Sequence, residues 1–80
     1  MLTLFVKPGC PYCEHVCEVA DELGVEYARK NINDPGVAEE LIAHGGKRQM
    51  PYLIDSTRGV AMYESEDIIK YLGEQYPKRD

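Results

Sequence analysis

Residues 2–13, LTLFVKPGCPYC, are the most informative segment for predicting the fold, because a strand pattern gives way there to a helical pattern across a tight turn. Residues 2–6 form a near-continuous apolar run that ends at Lys7, which predicts a buried central strand. From Pro11 onward, apolar residues recur every three or four positions until Gly24, which predicts a helix with proline in its first turn. Cys10 and Cys13 therefore stand where the first strand meets the first helix.

The remaining elements follow from the same patterns. Residues 25–31 predict a second strand, parallel to the first because a helix joins them. Asp34 precedes Pro35 as a helix cap, and an apolar stripe that includes Ile42 predicts a second helix ending at Gly45 and Gly46.

The last third of the chain predicts a hairpin and a third helix. Two short apolar runs, residues 52–54 and 60–63, flank the turn-like residues 55–59 and predict antiparallel strands, with Tyr63 in the core. Ser65 is expected to cap a final helix that ends before Pro77. The order β-α-β-α-β-β-α predicts a single α/β domain over residues 1–80, a mixed four-stranded sheet flanked by three helices.

Composition narrows the function classes. The chain is 44% apolar and 29% charged, as in an ordinary globular protein, and its formal charge of −5 disfavours nucleic acid and anionic lipid as partners. The apolar run at the N-terminus is too short for a signal peptide or a membrane span, so a cytoplasmic location is expected. In that compartment, a close pair among three cysteines is more often catalytic or metal-binding than a structural disulfide.

The spacing of the cysteine pair favours thiol–disulfide exchange. Cys10, at the cap of the first helix, faces unpaired N–H groups and the positive end of the helix dipole, which favours its thiolate. Lys7 can add a positive charge. Cys13, one turn along the helix and facing inward, is expected to be the resolving thiol. A zinc site stays open as an alternative, but no second pair of ligands is closely spaced, and no metal is expected.

Other residues with possible chemistry have simpler interpretations. Cys17 follows Cys13 by one helical turn and is expected to pack in the core, with a regulatory thiol as the alternative. His15 and His44 are expected to face solvent.

Residues 7–13, KPGCPYC, closely resemble the active-site segment of dithiol glutaredoxins, in the thioredoxin superfamily. The resemblance continues along the chain, because Met50 and Pro51 stand where that superfamily has a cis-proline before the third strand. Residues 62–68, MYESEDI, are more similar to the N-terminal domain of glutathione transferases. The resemblance implies a thioredoxin-like (glutaredoxin) fold and a glutathione-disulfide oxidoreductase, with glutathione as reductant and disulfide-containing or glutathionylated proteins as partners.

The resemblance also implies roles in binding glutathione. The backbone of Met50, before Pro51, pairs with glutathione as a strand would, and Tyr12 lines the groove. Ser65 and Glu66 hold the carboxylate and the ammonium of the γ-glutamyl end. The two residues that match basic residues for the glycine carboxylate are Lys7 and Arg48.

Two further expectations and two alternative functions complete the sequence-based hypothesis. The protein is expected to act as a monomer, and glutathione reductase would regenerate its reductant indirectly. A redoxin reduced by thioredoxin reductase would need the same cysteines without a glutathione groove. A glutathione-ligated [2Fe–2S] carrier is a binding-module alternative that Pro11 disfavours, because the family binds clusters more often when that proline is replaced.

Overall fold

The structure is a computed structural model that describes residues 1–77; the last three residues of the domain predicted over 1–80 lie outside the described part. Its elements are, in chain order, β1 (Leu2–Val6), α1 (Pro11–Leu23), β2 (Ala28–Asn31), α2 (Val37–Gly45), β3 (Tyr52–Asp55), β4 (Val60–Met62) and α3 (Ser65–Gln75). This is the predicted order β-α-β-α-β-β-α. None of the described helices is long and apolar enough to cross a membrane.

The four strands form one mixed sheet in the order β2-β1-β3-β4. Strand β1 is parallel to β2, with Thr3 opposite Ala28, and antiparallel to β3, with Phe5 opposite Tyr52. Strands β3 and β4 form the predicted antiparallel hairpin. Because β1 is a central strand, the turn that follows its C-terminal end places Cys10 near the middle of the sheet, at one end of its strands.

The alternation of side chains along β1 divides the core between the two faces of the sheet. Leu2, Leu4 and Val6 belong to the larger cluster, together with buried residues of α1 and α3. Phe5 belongs to the smaller cluster, with Leu41 of α2. Helices α1 and α3 thus cover one face and α2 covers the other.

Three local predictions need correction. Strand β2 begins at Ala28, so residues 25–27 only connect it to α1. Helix α2 is preceded by Gly36 in a left-handed conformation (φ 81°), and Asp34 contributes only a turn, in which its carbonyl accepts the Val37 N–H at 3.2 Å. Ile42 is 45% exposed, because this short helix buries only the side that carries Leu41.

A fourth correction concerns Asp55, which the sequence pattern places in a turn. It is the last residue of β3 and is completely buried. Its carboxylate accepts hydrogen bonds from the hydroxyls of Tyr71 (2.6 Å) and Tyr76 (2.8 Å) and from the guanidinium of Arg58 (3.1 Å). Burial alone would raise the pKa of Asp55, but these donors outweigh it and lower the pKa to about 2.

Candidate active site

Cys10 is the residue at which the chain turns into α1. It has an extended backbone (φ −84°, ψ 117°) at the N-cap position, and Pro11 occupies the first turn, as predicted. Its N–H donates to the carbonyl of Lys7 at 3.2 Å, and its own carbonyl accepts the Glu14 N–H at 3.0 Å. These bonds hold Cys10 at the end of the helix where backbone N–H groups lack intrahelical acceptors.

The surroundings of Cys10 stabilise a thiolate. Its pKa is lowered mainly by the backbone N–H of Cys13, and burial opposes that effect. The thiol of Cys13, the N–H of Tyr12 and the charge of Lys7 lower the pKa further. Cys10 is therefore the more acidic thiol of the pair.

Cys13 has the opposite environment. It is 1% exposed, and its Sγ accepts the backbone N–H of Lys7 at 3.4 Å. Burial raises the pKa of Cys13 to about 11, and the neighbouring Cys10 sulfur adds to the rise. Both thiols are free. The pair thus combines an accessible, acidic sulfur with a shielded one that stays protonated at neutral pH.

A cleft of about 570 Å³ is connected to the cysteine pair through Tyr12, the neighbour of Cys13 in the chain, and neither cysteine belongs to its lining. Three separate segments contribute its lining: Tyr12 from α1; Gln49, Met50 and Pro51 from the loop before β3; and Tyr63, Glu64, Ser65, Glu66 and Asp67 from the start of α3. The Met50–Pro51 peptide bond is cis, which confirms what the resemblance implies. Among the residues predicted to bind glutathione, Tyr12, Met50, Pro51, Ser65 and Glu66 are brought together here.

Two of the predicted binding residues lie outside this lining. Lys7 is exposed, and its charge and backbone act on the cysteine pair. Arg48 is also exposed, one residue before the segment that lines the cleft. Their assignment to a glycine carboxylate stays a prediction.

The start of α3 differs from the prediction by one residue. Glu64 is the N-cap, and Ser65 is the first helical residue, so the Ser65 hydroxyl makes no capping bond. The Glu64 carbonyl accepts the first helical hydrogen bond, from the Ile68 N–H at 2.8 Å. The backbone N–H groups of Ser65 and Glu66 belong to the first turn, where they can donate hydrogen bonds to an anion.

Sequence reasoning missed four lining residues: Gln49, Tyr63, Glu64 and Asp67. Glu64 and Asp67 flank the predicted Ser65 and Glu66, so their proximity in sequence was an available signal. Tyr63 was assigned to the core, and it does pack partly against the smaller core cluster. Gln49 precedes the predicted Met50, so it offered the same signal, but the direction of its side chain depends on how the loop before β3 folds.

The described residues contain no group of three His, Cys, Asp or Glu side chains that could hold a metal ion. Cys17, 4% exposed, packs in the larger core cluster, as expected. His15 and His44 are exposed, also as expected. The cleft and the Cys10–Cys13 pair are therefore the features to which chemistry can be assigned.

Comparisons with known proteins agree with this fold. A family model described as glutathione S-transferase, N-terminal domain, matches residues 4–80. The stringent starvation protein A homolog of Histophilus somni is 31% identical over 77 residues, which are 96% of this chain and 35% of that protein.

Solved structures give the same result. A glutathione S-transferase from the Antarctic clam Laternula elliptica is 30% identical with a TM-score of 0.82, over 96% of this chain and 36% of that one. A delta-class glutathione transferase of Nilaparvata lugens is 30% identical with a TM-score of 0.81, over 100% of this chain and 38% of that one. These similarities confirm the thioredoxin-like α/β fold, and the chain spans just over a third of the length of these relatives.

Proposed function

We propose, from the premise that this chain belongs to the glutathione S-transferase N-terminal domain family, that it is a glutathione-dependent thiol–disulfide oxidoreductase. The observation that carries the proposal is the asymmetric pair at the start of α1. Cys10 has a lowered pKa at the helix end, and Cys13 is a buried thiol one turn away. Exchange between thiols and disulfides needs one sulfur that attacks and one that resolves.

Glutathione is proposed to bind in the cleft next to Cys10. The backbone of Met50 would pair with the cysteine of glutathione as an added strand, with Tyr12 along one side. The N–H groups in the first turn of α3 at Ser65 would donate hydrogen bonds to the γ-glutamyl carboxylate. The Glu66 carboxylate would accept hydrogen bonds from the adjacent ammonium. Lys7 and Arg48 are the cations proposed for the glycine carboxylate.

The first reaction is the reduction of a protein–glutathione mixed disulfide. The Cys10 thiolate attacks the glutathione sulfur, the S–S bond breaks, and the protein leaves as a thiolate that takes up a proton. A second glutathione, as its thiolate, then attacks the glutathione sulfur bound to Cys10. Glutathione disulfide is released and Cys10 returns as the thiolate, so one glutathione thiol is oxidised for each protein thiol restored. The other half of the released disulfide is the glutathione that came from the substrate.

The second reaction is the reduction of a protein disulfide, which needs Cys13. Cys10 attacks one sulfur and forms a mixed disulfide with the protein; Cys13 then loses its proton, attacks the Cys10 sulfur and releases the second protein thiol. The contribution of the Cys10 thiolate to the raised pKa of Cys13 ends once Cys10 is in the mixed disulfide. Two glutathione molecules reduce the resulting Cys10–Cys13 disulfide, and glutathione reductase regenerates them.

A coupled assay with glutathione and glutathione reductase tests the proposal. We expect Cys10→Ser to lose both reactions by at least about a thousandfold, because the thiolate is the nucleophile. Cys13→Ser should keep the reduction of a glutathionylated peptide and lose that of a protein disulfide. Cys17→Ala is the matched control, because Cys17 is buried in the core, and its activity should stay within about twofold. Turnover that survives in Cys10→Ser contradicts the assignment.

The electron donor is tested in the same preparation. If thioredoxin reductase with NADPH reduces the Cys10–Cys13 disulfide while glutathione does not, the protein is a redoxin that depends on thioredoxin reductase. Visible absorbance after anaerobic reconstitution with iron and sulfide would instead favour the [2Fe–2S] carrier.

A glutathione-binding domain of a longer transferase is a second candidate function. It is favoured by the family match and by the length of the relatives, of which this chain spans just over a third. In that case glutathione would be conjugated to an electrophile such as 1-chloro-2,4-dinitrobenzene. Conjugation that persists in Cys10→Ser, without disulfide reduction by the wild type, would support the transferase function.

A further inference from the structure

Tyr63, which lines the cleft, is hydrogen-bonded to the loop that follows α2. Its hydroxyl donates to the carbonyl of Lys47 at 2.9 Å and accepts the Lys47 N–H at 3.1 Å. One side chain between β4 and α3 thus binds both polar backbone groups of a residue in the loop that follows α2. That loop continues directly to Met50, the residue whose backbone is proposed to pair with the ligand.

The position of the Tyr63 ring is closely restricted. The ring packs on Tyr52 of β3, with centroids 4.4 Å apart, and the Lys47 ammonium lies 5.3 Å from its centroid. Gly45 lies next to the Tyr63 hydroxyl, because a Cβ placed at that position would clash with the hydroxyl oxygen. Only a glycine at the end of α2 leaves room for this contact.

A second connection joins the same two segments. The Gln49 side-chain amide donates to the Glu64 carboxylate at 3.3 Å. Residues 47 and 49 of the loop are therefore bonded to residues 63 and 64, which immediately precede α3. Residues 49–51 line one side of the cleft and residues 63–67 line the other, so these bonds join the two surfaces that a single ligand must contact together.

We propose that Tyr63 is a positioning residue that holds the Met50 wall at the correct distance from the start of α3, with Gly45 providing the space for its hydroxyl. This inference rests on the proposed function, because it concerns binding of glutathione in that cleft. Tyr63 takes no part in sulfur chemistry, so its loss affects ligand affinity and leaves the thiolate of Cys10 as it was.

The test is Tyr63→Phe, which removes the hydroxyl and keeps the ring. We expect the KM for a cysteine–glutathione mixed disulfide to rise about fivefold or more, with kcat within twofold. The dissociation constant of glutathione, measured calorimetrically in a Cys10→Ser background, should rise by a similar factor. The pH profile of Cys10 alkylation by iodoacetamide should not move, whereas a general loss of structure would change it.

A pair of glycine variants supplies the matched control. Gly45→Ala forces the Tyr63 hydroxyl away from Lys47, so the KM should rise as in Tyr63→Phe. Gly73→Ala makes the same change in α3, where a Cβ meets nothing within 4 Å, and should leave the KM unchanged. Gln49→Ala, which removes only the second connection, should raise the KM by a smaller factor.

Amide hydrogen exchange makes the inference testable apart from the proposed function. In Tyr63→Phe, exchange in residues 46–50 should become faster by an order of magnitude, and exchange in α1 should not change. Consider a wild type that neither binds glutathione nor reduces its mixed disulfides, while Tyr63→Phe still shows faster loop exchange. That result would overturn the proposed function and leave the positioning role of Tyr63 in place. An unchanged KM in Tyr63→Phe, or a KM that rises together with a shifted alkylation profile, overturns the inference.

Discussion

At the scale of single residues, the two thiols at the start of α1 have different pKa values because of their positions in the fold, since their side chains are identical. Cys10 sits at the helix end, where backbone N–H groups of the first turn approach its sulfur. Cys13 is turned into the core and loses contact with water. A shift of about one pKa unit corresponds to roughly 1.4 kcal/mol, so such differences in environment separate the roles of two identical side chains.

The pKa of Cys10 leads to a prediction about alkylation. At a pH below roughly 8.5, the pKa of an ordinary thiol, Cys10 should already react with iodoacetamide, whereas Cys13 should not. Cys13→Ala removes the thiol hydrogen bond to Cys10, so the midpoint of the alkylation profile should move to higher pH. Cys13→Ser keeps a donor and should move it less. Mass spectrometry of the alkylated peptides gives both profiles.

The backbone N–H of Cys13 is the main cause of the lowered pKa, and it is present in both variants. Each midpoint should therefore stay below that of an unperturbed thiol. A Cys10 that titrates as an ordinary thiol in the wild type would show that the helix end does not stabilise its thiolate.

At the scale of elements, Asp55 joins the end of β3 to the C-terminal part of α3. The hydroxyl of Tyr76 also accepts a hydrogen bond from Arg58 at 2.9 Å, so the carboxylate lies within a connected polar group. A buried carboxylate is tolerated only when its acceptor sites are satisfied, and here they are. This cluster lies at the end of β3 opposite Pro51, away from the cleft.

Asp55→Asn should therefore lower stability without changing the chemistry at Cys10. We expect a loss of about 2 kcal/mol in the free energy of unfolding, because hydrogen bonds to a buried charge contribute about 1.5–3 kcal/mol. Asp34→Asn is the matched control on the exposed loop before α2 and should stay within about 0.5 kcal/mol. Urea titration at pH 7 measures both. Equal stabilities of the two variants would contradict the role of the cluster.

The same carboxylate predicts a pH dependence of stability. Its folded pKa of about 2 lies below the unfolded value of roughly 3.9. A group with a depressed folded pKa stabilises the protein above the unfolded pKa, and that contribution is lost as the pH falls from about 4 towards 2. The free energy of unfolding of the wild type should fall across this window more steeply than that of Asp55→Asn. Parallel curves for the two proteins would exclude Asp55 as the cause.

At the scale of the whole molecule, the chain has a formal charge of −5, and acidic residues contribute to the lining of the cleft. Glu64, Glu66 and Asp67 all line the cleft, and no lysine or arginine of the described chain does. Charges along a cleft steer partners of the opposite sign and repel those of the same sign. Among target disulfides, those with basic neighbours should therefore react faster.

Symmetrical peptide disulfides with either lysine or glutamate beside the cysteine test this prediction. In single turnovers with the reduced protein, the lysine peptide should react faster than the glutamate peptide. The double variant Glu66→Gln/Asp67→Asn should reduce the ratio of the lysine-peptide rate to the glutamate-peptide rate about fivefold. That factor follows from two exposed ion pairs of about 0.2–1 kcal/mol each, with 1.4 kcal/mol equal to tenfold. High salt should narrow the ratio as well.

The control for charge selectivity is Glu22→Gln/Glu39→Gln, which removes the same net charge at exposed positions outside the cleft. Its ratio of rates should stay close to that of the wild type. If both double variants narrow the ratio equally, net charge alone causes the selectivity.

The element order, the parallel β1–β2 unit and the placement of Cys10 and Cys13 could all be predicted from the sequence. These depend on interactions between residues close in the chain: the periodicity of apolar residues, proline and glycine at a helix start, and a four-residue segment with a thiol at each end. The cis bond before Pro51 followed only from family resemblance, because sequence statistics favour trans.

Three features appear only in the folded structure: the lining of the cleft, the burial of Asp55, and the contact that Tyr63 makes with Lys47 next to Gly45. Each of these contacts joins segments that are distant in the chain, and their geometry depends on how α2, β3 and α3 pack on the sheet. Local propensity does not encode such packing, so it predicts neither the contact between Gln49 and Glu64 nor the burial of Asp55. The thiol pair could be located from four neighbouring residues, whereas the cleft beside it exists only once three segments have come together.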